Sequence, residues 1–182
     1  LHDSGAKVLL TEAGKFFRKD TFPKTEAEYS SQLFWGGGLE FDSMAKTAFL
    51  RAKCVGGTTI VNQCLMNRFD DIAFNDWKAQ SGINFMSIGA MTPYYETVEQ
   101  SMVLHTYTKE GFNKNAILFT EACDKLGHKW KFLKRGQSDC KLEEGCDCIG
   151  CLGGCHRDSK QSALVVYIQK AEETGLEILS EF

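Results

Sequence analysis

Short apolar runs alternate with stretches of helical period along most of the chain, and the breaks between them are marked by Gly and Pro. Lys7–Thr11 is a short apolar run that ends in Glu12, Ala13 and Gly14, the pattern of a strand. Asp70–Gly82 places Ile72, Phe74 and Trp77 at helical intervals, which predicts an amphipathic helix. Thr92 and Pro93 read as the N-cap and first turn of another helix through Glu99. Ala116–Leu126 sets Ile117, Phe119, Cys123 and Leu126 on one face, with Gly127 to close it. His128 and Trp130 then open a predicted strand. Near the end, Asp158 or Ser159 caps a helix running to about Thr174. Leu164, Val165, Ile168 and Ala171 lie on one side of it, Gly175 ends it, and Leu176–Leu179 follows as a strand.

Between these elements the pattern is weaker. Leu1–Gly5 reads as the end of a helix, closed by Gly5. Phe16–Tyr29 is mixed, with Phe16, Phe17 and Phe22 as packing residues and Pro23 as a break. Trp35-Gly-Gly-Gly-Leu39 is a loop whose glycines either flank a ligand or merely turn the chain.

The composition narrows the class. A chain of 182 residues with 43% hydrophobic and 25% charged residues is ordinary for a globular protein. Its net charge of −3 and lack of a basic block argue against nucleic-acid binding. No apolar run approaches the roughly 18 residues a membrane span needs, and Leu1 opens no signal-peptide pattern. The first residue is not Met, so a piece of a longer chain is expected. Eight cysteines without a secretory signal suit a reducing, cytoplasmic setting.

Three stretches carry candidate chemistry. In Arg51–Arg68, Gly56 and Gly57 let the backbone approach a ligand closely. Thr58 and Thr59 bring hydroxyls and backbone N–H groups suited to an anion, and Asn62 has an amide able to read a heterocycle edge. The plain alternative is a turn followed by an apolar strand. Arg68 either neutralises a phosphate or is a surface charge. Glu12, at the end of an apolar run, sits where a carboxylate accepts hydrogen bonds from a ribose in dinucleotide-binding folds, or is simply solvated. The third stretch is a cysteine window, Cys140, Cys146, Cys148, Cys151 and Cys155, spaced C-x5-C-x-C-x2-C-x3-C. It suits an iron–sulfur cluster, zinc or redox-active thiols, and the preferred ligand set is Cys146, Cys148, Cys151 and Cys155, with Cys140 as a substitute for Cys146. His105, His128 and His156 are taken as structural or exposed.

Arg51–Asn62 resembles the flavin-contacting Gly-Gly-Ser/Thr-Ser/Thr…Asn segment of the glucose–methanol–choline oxidoreductase family. Val8-Leu-Leu-Thr-Glu-Ala-Gly14 is similar to that family's second strand, and Pro93-Tyr-Tyr-Glu-Thr-Val-Glu99 to its Pro-Tyr-Tyr-x-x-Val-Glu segment. Gly154-Cys-His-Arg-Asp-Ser-Lys-Gln-Ser162 resembles the Gly-Cys-x-x-Gly-Ala-Lys-Gln-Ser run of a cysteine-bearing subgroup. The resemblance implies an α/β fold: residues 1–182 as part of a three-layer, Rossmann-like FAD-binding domain with a Cys-rich loop at about 140–155. The first strand with its G-x-G-x-x-G turn and the C-terminal substrate domain would lie outside it. The resemblance further implies FAD as cofactor, held through Glu12, Gly56, Gly57, Thr58, Thr59 and Asn62, and an alcohol or sugar-type substrate oxidised at CH–OH. The family's catalytic His and its partner would come from the missing part, and electrons could leave through an iron–sulfur cluster to an acceptor protein. A metal-binding electron-transfer or structural subunit of a split enzyme is the competing reading.

Overall fold

The computed structural model describes residues 2–140 and 150–182. It divides into two compact units: Leu1–Cys64 with Gln137–Phe182, and Leu65–Gly136. Helices and strands are mixed in both, as expected of an α/β chain.

In the first unit, strand β1 (Leu9–Glu12) pairs in parallel with β6 (Glu177–Ser180), Leu9 opposite Glu177 and Glu12 opposite Ser180. A parallel pair requires a long crossover, and here nearly the whole chain lies between the two strands. Parallel strands are ordinarily covered on both faces, yet Leu9 and Leu179 remain 55% and 42% exposed. Helix α1 (Glu26–Leu33) lies in the stretch read as mixed. Its start is a capping box: the Thr25 hydroxyl accepts from Glu28 N, and the Glu28 carboxylate accepts from Thr25 N. A two-stranded antiparallel ribbon, β2 (Glu40–Phe41) and β3 (Ala48–Phe49), follows. Phe17, Phe22, Leu33, Phe34, Cys54, Val55, Ile60, Val61 and Leu164 form the core. Each of the large apolar side chains among them contributes about 1.5–3 kcal/mol by leaving water.

Towards the end of this unit a π-turn (Leu164–Ile168) runs into helix α5 (Gln169–Glu173). The expected cap at Asp158 or Ser159 is corrected to Ser162, whose hydroxyl accepts from Val165 N. The residues before it are held otherwise. Lys160 bridges Gln137 in an extended pairing, and Asp158 has φ +53, outside the helical region.

The second unit contains helix α2 (Asp71–Ser81), capped by Asp70 and closed by Gly82, and helix α4 (Lys114–Leu126), capped by Asn113 and closed by Gly127. Both form where the periodicity places them, but Ile72, Phe119 and Leu126 of the expected apolar faces stay exposed, and Phe74 and Thr120 are the residues these helices bury. Helix α3 (Ile88–Gln100) begins earlier than expected, because Ser87, not Thr92, caps it. Pro93 stands inside the helix, and the Thr92 hydroxyl donates to Ile88 O instead. Strand β4 (Leu104–Thr106) pairs antiparallel with β5 (Lys134–Gly136), so the strand expected to begin at His128–Trp130 forms six residues later. Trp130 is drawn instead into a ring cluster with Phe112 and Phe132, at centroid distances of 5.4–6.2 Å. Beside that cluster lies a largely apolar cavity of about 580 Å³, lined among others by Phe119, Trp130, Phe132 and Leu133. Among the described residues no helix is long and apolar enough to cross a membrane.

Candidate cofactor-binding site

Two of the candidate stretches meet in the first unit. At the end of β1 the Glu12 carboxylate turns back and accepts from Gly14 N at 2.7 Å, which fixes its orientation. The next residue, Lys15, bridges Cys54 in parallel, and Val55 N donates to Lys15 O at 3.0 Å. Gly14 makes that approach feasible: a Cβ there would lie 1.9 Å from Lys53 O and 2.6 Å from Cys54 N. On its other side, Glu181 N donates to Gly14 O and Phe182 N to Glu12 O. Segment 12–15 is thus clamped between the run into Gly56 and the exit of β6. A polar cavity of about 560 Å³ opens here, lined by Ala13, Gly14, Lys15, Trp35, Gly36, Gly37, Lys53 and Glu181 among others. The Trp35–Gly38 loop, ambiguous in the sequence, therefore forms one of its walls. Gly36 and Gly37 both adopt the left-handed conformation there, and Lys53 Nζ stands 4.7 Å above the Trp35 ring.

The Gly56–Asn62 turn forms a short 3-10 helix, Gly57–Ile60. Gly56 takes φ +96, and a Cβ on it would come within 2.9 Å of Ile60 and 3.1 Å of Leu164. Gly57 faces open space. Both threonine hydroxyls serve the protein's own backbone. Thr59 Oγ1 donates to Gly56 O and accepts from Ala163 N, while Thr58 Oγ1 accepts from Ala52 N. Asn62 is exposed, with Oδ1 accepting from Cys64 N. Next to the turn, burial pushes the fully enclosed Cys54 thiol up to about 12, and the Glu12 carboxylate adds to the effect. Cys54 therefore stays a neutral packing group rather than a nucleophile.

These residues fit a dinucleotide: an oriented carboxylate at a parallel strand's end, a polar cavity beside it, and a glycine turn with one open backbone position. A sequence profile described as GMC oxidoreductase matches residues 30–182. The chain belongs to the GMC oxidoreductase family.

Among its relatives in that family are an uncharacterized GMC-type oxidoreductase of Sinorhizobium fredii, 26% identical over 178 residues, covering 97% of this chain and 34% of the relative. The long-chain-alcohol oxidases FAO4B and FAO4A of Arabidopsis thaliana are 28% and 22% identical, covering 99% and 93% of this chain and 23% of each relative. The chain thus spans about a quarter to a third of the length of the curated relatives it matches.

Other candidate residues are placed as follows. Arg68 is engaged by Glu99 through two bonds of 2.7 and 2.8 Å, which favours the surface-charge reading over a phosphate contact. Each histidine has a local role or none. His156 Nδ1 bonds Lys19 O, His105 packs edge-on to Tyr107 at 4.8 Å, and His128 is exposed. Cys146 and Cys148 lie outside the described residues. Cys151 is buried and Cys155 half-buried, and among the described residues no group of three or more His, Cys, Asp or Glu is arranged to hold a metal. The glycines of that stretch have a packing role: a Cβ on Gly153 would meet Tyr29 at 2.6 Å, and one on Gly154 would meet Phe22 at 2.3 Å. Where the family run quoted above has Gly, this chain has Asp158 in the left-handed region.

One residue that sequence reasoning missed is Lys160. It is 2% exposed, and its Nζ donates at 2.7 Å to the carbonyls of Ile60, Asn62 and Cys151. Its place inside the quoted Lys-Gln-Ser motif was the available signal.

Proposed function

We propose that this chain supplies the FAD-binding part of an oxidoreductase acting on the CH–OH group of an aliphatic alcohol. The observation that carries this reading is the junction at Gly14, which bonds the end of β1 to the run into Gly56 beside a polar cavity lined by Gly14, Lys15 and Lys53. Glu12 would hold the adenosine ribose, and the Gly56–Asn62 turn would meet the flavin end through its open backbone at Gly57 and the Asn62 amide. When bound, FAD would accept a hydride at N5 from the carbinol carbon. The hydroxyl proton would pass to a base outside this chain, since none of its described histidines is poised for the task. The half-covered faces of β1 and β6 support a further layer packed against this pair, as in a larger domain.

An aliphatic substrate is favoured over a sugar by the names of the plant relatives. An iron–sulfur cluster on Cys146, Cys148, Cys151 and Cys155 would extend this reading to a dehydrogenase that passes electrons to another carrier. Its support is the spacing alone.

The deciding experiment is a visible spectrum of anaerobically purified protein before and after FAD is added. Flavin bands that survive desalting support the site, and a band near 400 nm bleached by dithionite, with iron present, supports the cluster. Retention of no flavin, either by the chain or by the longest reading frame containing it, sinks the proposal. Turnover of a long-chain primary alcohol against glucose, with oxygen or a dye as acceptor, then separates substrate class and oxidase from dehydrogenase.

A further inference from the structure

We infer that Lys160 is a positioning residue for the cofactor turn, locking Ile60–Asn62 to the exit of the cysteine loop at Cys151; this rests on the FAD reading above. An ammonium has three donors around one compact charge, and here three carbonyls, one of them a hundred positions away in sequence, converge on it at equal 2.7 Å distances. Burying a charge without such dipoles is prohibitive, so the side chain is not a snorkelling surface lysine.

The consequences for the turn are specific. The carbonyls of Ile60 and Asn62 lie one residue apart across the end of the 3-10 helix, so a single point donor fixes the path of the backbone between them. The Asn62 amide is pinned independently by Cys64 N, and Thr59 by Ala163 N. Segment 160–163 therefore latches the turn from beneath at two places. The third carbonyl, that of Cys151, belongs to the 3-10 turn Gly150–Gly153 at the far end of the cysteine window. Displacement of that turn reaches Asn62 through one nitrogen atom.

Lys160→Met keeps the stem and removes the three donors. It is expected to weaken FAD binding about tenfold or more, because the buried Ile60 carbonyl loses its charged donor and Asn62 loses its tie to Cys151. In the cofactor-free chain, amide hydrogen exchange is expected to quicken at residues 58–64 and 150–153 together, while β1 and β6 keep their protection. Exchange that quickens everywhere alike, or unchanged FAD affinity, overturns the inference. If Lys160→Met does not fold, Lys160→Arg carries the test. It retains the charge, but its planar fork cannot aim three donors from one point, so the same two segments should loosen and affinity should fall. Unaltered affinity in Lys160→Arg likewise overturns it. A wild-type chain that binds no FAD refutes the FAD reading instead, and the exchange pattern still decides whether Lys160 ties the two segments.

Discussion

Gly14→Ala tests the junction on which the site depends. The added Cβ would stand 1.9 Å from Lys53 O, while ordinary contact begins at 3.4 Å, so the two backbones must separate by about 1.5 Å. All three nearest atoms are backbone, and no rotamer change can make room. Such a shift carries the 3.0 Å bond from Val55 N to Lys15 O out of range and strains the 2.9 Å bond from Glu181 N to Gly14 O. Overpacking costs about 1–3 kcal/mol, and each lost hydrogen bond about 1 kcal/mol. The expected destabilisation is therefore about 2–5 kcal/mol, a large share of a typical domain's 5–15 kcal/mol. The control is Gly57→Ala. Gly57 has φ +57 but nothing within 4 Å, so that substitution meets only the left-handed penalty of about 1–2 kcal/mol. Gly14 is not in the left-handed region, so its sensitivity is purely steric. Urea unfolding followed by circular dichroism compares the two variants. Gly14→Ala within 1 kcal/mol of wild type would refute the close packing of 12–15 against 53–55, and with it the assembly of Glu12 and the glycine turn into one site.

Four further predictions concern three single side chains. Cys54 should resist alkylation at pH 8 while half-buried Cys155 reacts, as peptide mass spectrometry would reveal; labelling of native Cys54 contradicts its burial. Because the folded thiol is raised from 9.0 to about 12, the stability gained by keeping it neutral is full below pH 9 and is lost as pH rises towards 12. Cys54→Ala should flatten that alkaline decline relative to wild type by up to about 1.4 kcal/mol per pH unit. Asp158→Gly should raise the melting temperature by a few degrees, corresponding to about 0.5–1 kcal/mol, since it relieves a non-glycine φ of +53 for the loss of one 3.5 Å bond from Gln169; a lower melting temperature would mean the carboxylate matters more than the strain. Arg68→Ala should leave FAD affinity within about twofold and change stability little, still less in high salt, because its guanidinium serves Glu99 at the surface. A marked loss of FAD affinity would reinstate the phosphate role.

Where the determinants are local, the fold is legible in the sequence. Helices α2 and α4 declare themselves through periodicity and are closed by Gly82 and Gly127 in left-handed conformation. Strand β1 is visible as an apolar run ended by an acid. The capping box Thr25–Glu28 was equally local, but the aromatic cluster and Pro23 before it obscured the helix it starts. Elsewhere tertiary contacts overrule the local pattern. Trp130 and Phe132 have strand-like character, yet ring packing against Phe112 claims them, and the ladder passes to Lys134–Gly136. Ser159 is a good cap by type, but Ser138 N takes its carbonyl and Lys160 beside it is drawn inward, so the helix starts later. The glycine pair shows the limit most sharply. Gly56 and Gly57 look equivalent in a motif that lets backbone approach a ligand. In the fold, Gly56 is required by Ile60 and Leu164, from within the protein, and only Gly57 faces outward. A motif glycine can therefore serve the scaffold that holds a cofactor rather than the contact itself. Thr59 and Lys160, both bonded to backbone around this turn, follow the same logic.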